Sequence, residues 1–209
     1  MPSFQKIIDI LSNAFSILDF SYIISGGFTL GIILFDLHYH EYEFFIHNMP
    51  VTIICGVFLA YICGLASWVI GKFIREVFQS IDTDFEHTFD EAVGSLGNEF
   101  SLPVSNKKLA YSYMWIELYK KEEAKERVTF INRMWVMQAV FEGLIFSFVT
   151  AMAVWLELAY SLWREVLCYK VVITFFVLLL LTCLSAIEAR RYARNQVKEV
   201  ILSYYSYCC

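Results

Sequence analysis

The sequence predicts an all-α polytopic membrane protein: a four-transmembrane-helix bundle with a helical cytoplasmic segment between spans two and three. Three observations carry that prediction. Four apolar stretches, at residues 20–35, 51–70, 134–156 and 171–186, approach or reach the roughly 20 residues a helix needs to cross the hydrocarbon core. The first and fourth reach that length with their apolar approaches, 14–18 and 166–169, which leaves Asp19 and Lys170 at the bilayer surface. Fourteen of the 16 Lys and Arg fall in segments on one side of such a bundle, and only Arg164 and Lys170 on the other. Cations in short flanking loops stay cytoplasmic, so both termini are expected inside. Finally, the chain is 58% hydrophobic and 18% aromatic with only 3 prolines, which excludes a disordered or ordinary soluble chain. Its net charge of −5 argues against direct nucleic-acid binding, because phosphate neutralisation needs a basic surface.

Residues 1–19 precede the first span. Phe4, Ile7, Ile8, Leu11, Ala14, Phe15 and Leu18 repeat at helical spacing, as expected of an amphipathic interfacial helix. The segment has no basic n-region and no small-residue cleavage site, so the first span is expected to be retained.

The first transmembrane hairpin occupies residues 20–71. Its external loop carries His38, His40 and His47 among carboxylates. His-x-His on a helix points its rings apart and no HExxH-type spacing occurs, so a solvated polar turn is expected, with no metal and no cofactor. Gly27 and Gly31 in span one, Gly56, Ala60 and Gly64 in span two, and Ala139, Gly143 and Ser147 in span three recur four residues apart. Small residues so spaced share a helix face and let backbones approach within a bundle or an oligomer.

Residues 72–133 form the cytoplasmic segment, which is short for a catalytic domain. Asp82, Asp84, Glu86, Asp90 and Glu91 crowd its first half without a cation between them. Their repulsion must be offset by lysines of the following helix or by a basic partner, which makes them partner-docking candidates. From Lys107 no Gly or Pro intervenes before Gly143, so one long helix is expected to run into span three.

The second hairpin, 134–188, holds the sharpest single residue. Glu142 lies nine positions past Arg133, on the order of 13 Å along a helix. An ionisable group at that depth faces a bundle interior or a wet cavity. With Gln138 one turn earlier, it is a candidate for a gating or pore-lining group, or equally for a protonated packing contact. Its expected neighbours at matching depth are Cys63, Gly64 and Thr182, and burial would keep it neutral at rest. Span four carries no small-residue stripe at its start and is expected to face lipid most. Residues 189–209 form a cytoplasmic tail ending in Cys208 and Cys209. The six cysteines suit apolar packing and a reducing compartment rather than a disulfide framework.

No nucleotide-binding loop, hydrolase elbow, zinc-protease motif or CxxC occurs, so an enzyme is not expected. The strings Tyr22-Ile-Ile-Ser-Gly-Gly, Ala60-Tyr-Ile-Cys-Gly-Leu and Ala189-Arg-Arg-Tyr-Ala-Arg, in this architecture, resemble small multi-pass bacterial transmembrane effectors of anti-phage defence systems. That resemblance implies an inner-membrane effector of abortive infection, oligomerising to permeabilise the bilayer under control of a cytosolic sensor. The alternative is a constitutive small channel, transporter subunit or membrane assembly factor.

Overall fold

The computed structural model describes residues 17–41, 49–78, 81–97, 105–161 and 168–208. The described residues are helical, with no strand among them. The helices are α1 (Ile17–Tyr39), α2 (Met49–Phe78), α3 (Ile81–Ser95), α4 (Lys107–Lys120), α5 (Lys125–Ser161) and α6 (Cys168–Cys208), with a 3-10 turn at Glu122–Ala124. Four of them, α1, α2, α5 and α6, are long and apolar enough to cross a membrane. The proposed interfacial helix lies outside the described residues, except that Ile17–Asp19 open α1.

The sequence explains the helix ends. Pro50 sits in the first turn of α2, where its missing N–H would have no helical partner anyway. Gly97, at φ 76°, takes the left-handed conformation that ends α3. Asn106 caps α4, its side chain accepting a hydrogen bond from the Leu109 N–H at 3.2 Å.

The single helix expected from Lys107 onward is instead two. Lys121 is extended, at φ −88° and ψ 115°, and its N–H closes a turn onto the Leu118 carbonyl at 3.2 Å. The break needs neither Gly nor Pro, because burial supplies the reason. Ala110, Met114 and Leu118 of α4, together with Ala124, Val128 and Ile131 just after the break, enter one core with Phe89, Ala92, Val197, Val200 and Ile201. An unbroken helix would carry the first trio away from the second, and burying both outweighs one turn of helical hydrogen bonds.

The chain forms two compact units. The second comprises residues within Glu76–Gln138 and Glu188–Cys209 and is built around that core. The tail therefore contributes to it: α6 is helical through Cys208, and Val197, Val200 and Ile201 are buried.

The first unit comprises residues within Met1–Arg75 and Ala139–Ile187. Its α1, α2 and α5 approach at backbone distance. A β-carbon added at Gly26 would lie 1.8 Å from the Ala60 carbonyl oxygen, one at Gly64 1.8 Å from that of Tyr22, and one at Gly71 1.8 Å from that of Glu142. Only glycine fits such crossings. Helix α6 is joined less closely, through Trp155 Nε1 donating to the Val171 carbonyl at 3.3 Å. Just 6% of its most apolar window is buried, against 33% for α5. Val172, Phe176, Leu180 and Leu184 are among its exposed apolar residues, a surface suited to hydrocarbon and not to water.

Candidate functional site

The site starts from three residues of α2 at helical spacing. Trp68, Gly71 and Arg75 are three and four residues apart, so they share one face. Gly71 lets the α2 backbone press against the Glu142 carbonyl of α5, and the side chains on either side then close around the Glu142 carboxylate. Arg75 Nη2 donates to Glu142 Oε1 at 2.6 Å, and Trp68 Nε1 donates to Glu142 Oε2 at 2.8 Å. Arg75 is 5% exposed and Glu142 1%. Both carboxylate oxygens are engaged, which a buried anion requires. The guanidinium is less well served: Arg75 Nε is buried with no hydrogen-bond partner among the described residues.

Two sequence expectations are corrected here. Arg75, counted among the cations of the cytoplasmic loop, is buried in α2 against a carboxylate. Glu142, expected beside Cys63, Gly64 and Thr182, faces a guanidinium and an indole instead. The physical reason is helix length. α2 continues to Phe78, so the face that begins with the small residues of span two extends to Arg75. Gln138 is half-buried one turn before Glu142.

Beside the pair runs a buried seam of hydroxyls. Ser21, Ser25 and Thr29 repeat every four residues along α1 and are buried, as are Ser67 of α2 and Ser147 of α5. Thr29 Oγ1 lies 2.9 Å from Ser67 Oγ and 2.8 Å from Ser147 Oγ. Ser67 donates to the Cys63 carbonyl at 2.6 Å, and Ser147 lies 3.1 Å from the carbonyls of both Ser25 and Gly143. These bonds give the hydroxyls partners where lipid offers none and tie three helices together. An i, i+4, i+8 Ser/Ser/Thr pattern at Ser21, Ser25 and Thr29 marks this seam in the sequence, beside the glycine stripe.

The other packing candidates divide. Ala60, Gly64, Ala139, Gly143 and Ser147 are buried, and a β-carbon at Gly143 would strike the Ser25 side chain at 2.5 Å. Gly27, Gly31 and Gly56 have open space at the β-carbon position. The close approach on α1 falls on Gly26 instead, one position from the GxxxG pair. Gly27 and Gly31 line an apolar groove of about 420 Å³ with Phe28, Phe35, Trp155 and Leu178.

The acidic docking candidates are largely engaged within the second unit. Asp84 accepts from Arg190 Nε and Nη2 at 3.0 Å each and from Arg194 Nε at 2.7 Å, with Arg194 Nη2 also in contact. Burial alone would raise its pKa, but hydrogen bonds and charge from the two arginines prevail and hold it at about 2. Asp90 pairs with Lys107 and Glu91 with Lys198, each at 2.7 Å. Lys198 lowers the Glu91 pKa through its hydrogen bond and charge. Much of the offset thus comes from the tail of the same chain. Glu86 is exposed, and Asp82 lies in α3. A different face is open: Leu109, Tyr113, Ile116 and Tyr119 follow one another along the exposed side of α4.

His38, in the last turn of α1, and His40, in the turn just after it, are exposed, while His47 lies outside the described residues. Cys208 forms no disulfide among the described residues, and Cys209 lies outside them. Comparison with protein-family models, curated proteins and solved structures gives no match for this chain.

Proposed function

We propose that this chain is a non-enzymatic effector of membrane integrity. In this reading its spans pack and oligomerise in a bacterial inner membrane with both termini cytoplasmic. They stay closed while Arg75 holds Glu142, and open to permeabilise the bilayer when a cytosolic partner signals phage infection. The observation that carries the reading is the buried Arg75–Glu142 pair between two membrane-length helices. Buried pairs add little net stability compared with apolar packing, yet they strongly penalise arrangements that separate the charges. Ionised side chains in spans face bundle interiors or water-filled paths and mark functional elements. Such a pair suits a switch with two discrete states better than it suits plain packing. Control by a partner draws support from the exposed apolar face of α4, since an uncovered patch of this kind marks an interaction surface.

The second reading, a constitutive channel, transporter subunit or assembly factor, draws support from the hydroxyl seam, whose tight interhelical bonds favour one fixed packing. Expression alone and with neighbouring genes, with and without phage challenge, separates the two. Growth arrest with loss of membrane potential, confined to the triggered or unpartnered state, is the expected result. Harmless expression under every condition, with steady transport of a defined solute, would favour the second reading.

A further inference from the structure

The far ends of α1 and α5 hold a group of side chains that the closed bundle does not explain. Asp36 lies in the last turn of α1 and His40 in the turn just after it, four residues on with its N–H bonded to the Asp36 carbonyl at 3.1 Å, and Glu157 reaches them from α5. His40 Nε2 lies 3.3 Å from Glu157 Oε1 and 3.9 Å from Asp36 Oδ1, and the three ligand atoms all fall within 4.8 Å of one another. Asp36 Oδ1 is buried and accepts no hydrogen bond among the described residues, an arrangement that is costly for a carboxylate unless a cation satisfies it.

We propose that Asp36, His40 and Glu157 form a divalent-metal site, with zinc the best-matched ion. Nitrogen and oxygen ligands bind zinc at about 2.0–2.1 Å, so neighbouring ligand atoms of a tetrahedral site stand about 3.3–3.4 Å apart. The imidazole–carboxylate separation already has that value, and the second needs a shift of about half an ångström. A lone imidazole with two carboxylates suits zinc better than magnesium or calcium, which take oxygen ligands. Three protein ligands leave one position for water, and the exposure of His40 and Glu157 gives the ion an entry path. The site is independent of the proposed switch, since Glu157 is fifteen residues beyond Glu142, about 22 Å along α5. Its effect is mechanical. Phe35 and Leu158 are chain neighbours of Asp36 and Glu157, and both line the apolar groove. Bound metal would hold those two walls at a fixed separation.

The test uses the full chain in detergent or nanodiscs, purified without a histidine tag and stripped by a chelator. Zn²⁺ is titrated calorimetrically, and Co²⁺ is followed by its ligand-field absorption. The expected result is one Zn²⁺ per chain, with tetrahedral Co²⁺ bands and no thiolate charge-transfer band. His40→Gln and Glu157→Gln, both exposed and expected to leave the fold intact, should each weaken Zn²⁺ binding at least tenfold with unchanged helix content. Absence of uptake, uptake unaffected by both variants, or a thiolate signature pointing to the free cysteines would each overturn the proposal.

Discussion

Arg75 and Glu142 meet across α2 and α5 at 2.6 Å, both almost wholly buried, with the Trp68 indole on the second carboxylate oxygen. The contact depends on a glycine. Any side chain at Gly71 would separate the two backbones, and the guanidinium would no longer reach the carboxylate. The unpartnered Arg75 Nε leaves the pair incompletely satisfied, as suits the proposed contact that breaks as well as holds.

The first prediction concerns the energy of that pair. Removing one partner leaves an uncompensated buried charge, which costs roughly 3–5 kcal/mol, whereas replacing both by apolar side chains of similar volume is often neutral or stabilising. Arg75→Met and Glu142→Leu should each destabilise the protein by several kcal/mol. The double variant should return to the wild-type value or exceed it. Reversible denaturation of the detergent-solubilised chain measures this, and additive losses in the double variant would contradict it.

The second prediction separates glycines that look alike in sequence. Gly26→Ala, Gly64→Ala and Gly71→Ala place a β-carbon 1.8 Å from a backbone oxygen, which cannot rotate away. Each should cost more than about 2 kcal/mol and sharply lower folded yield. Gly27→Ala, Gly31→Ala and Gly56→Ala meet nothing and should stay within about 1 kcal/mol of wild type, or gain slightly from helix propensity. Size-exclusion profiles of the six variants give the answer.

These glycines also show how far the sequence could be read. Four membrane-length helices and the low burial of the fourth follow from hydropathy and from where small residues fall, and both are legible without coordinates. The rotation of α1 is not, because Gly26 and Gly27 are adjacent and the four-residue spacing to Gly31 points to Gly27, whereas the close backbone approach falls on Gly26. Arg75 was hidden for a related reason: a cation a few residues past an apolar run looks like a loop residue until the helix is known to continue to Phe78. The break at Lys121 was illegible too, since tertiary burial of Met114, Leu118 and Val128 produced it and no local breaker marks it.

Thr29 joins three helices, with Ser67 and Ser147 at 2.9 and 2.8 Å. Thr29→Val keeps the shape but removes the hydroxyl. Interhelical hydrogen bonds in membranes average about 0.6 kcal/mol, so a loss of about 1–2 kcal/mol is expected for the two together. Thr29→Ser should recover most of it. A Val variant as stable as wild type would mean that packing alone holds the seam.

Acid should loosen the second unit. The folded-state pKa of Asp84, about 2, is below its ordinary 3.8, so its stabilising effect is complete above about pH 4 and disappears as pH falls through 2. Arg190 and Arg194 are partly exposed, which screens the pair and limits its contribution to about 1–2 kcal/mol. Asp84→Asn should lower stability at neutral pH by that amount and flatten the acid limb of the stability profile between about pH 4 and 2. Identical acid limbs for variant and wild type would contradict the assignment.

Membrane potential during induced expression tests the switch most directly. Wild type held in its unsignalled state should leave cells polarised. Glu142→Gln, which keeps the shape of the side chain but frees Arg75, should depolarise them without any trigger. The Arg75→Met, Glu142→Leu double variant should stay polarised even when triggered, because no charge remains to be released. If Glu142→Gln inserts and assembles at wild-type levels yet cells remain polarised, and the double variant still responds to the trigger, the Arg75–Glu142 pair does not control opening.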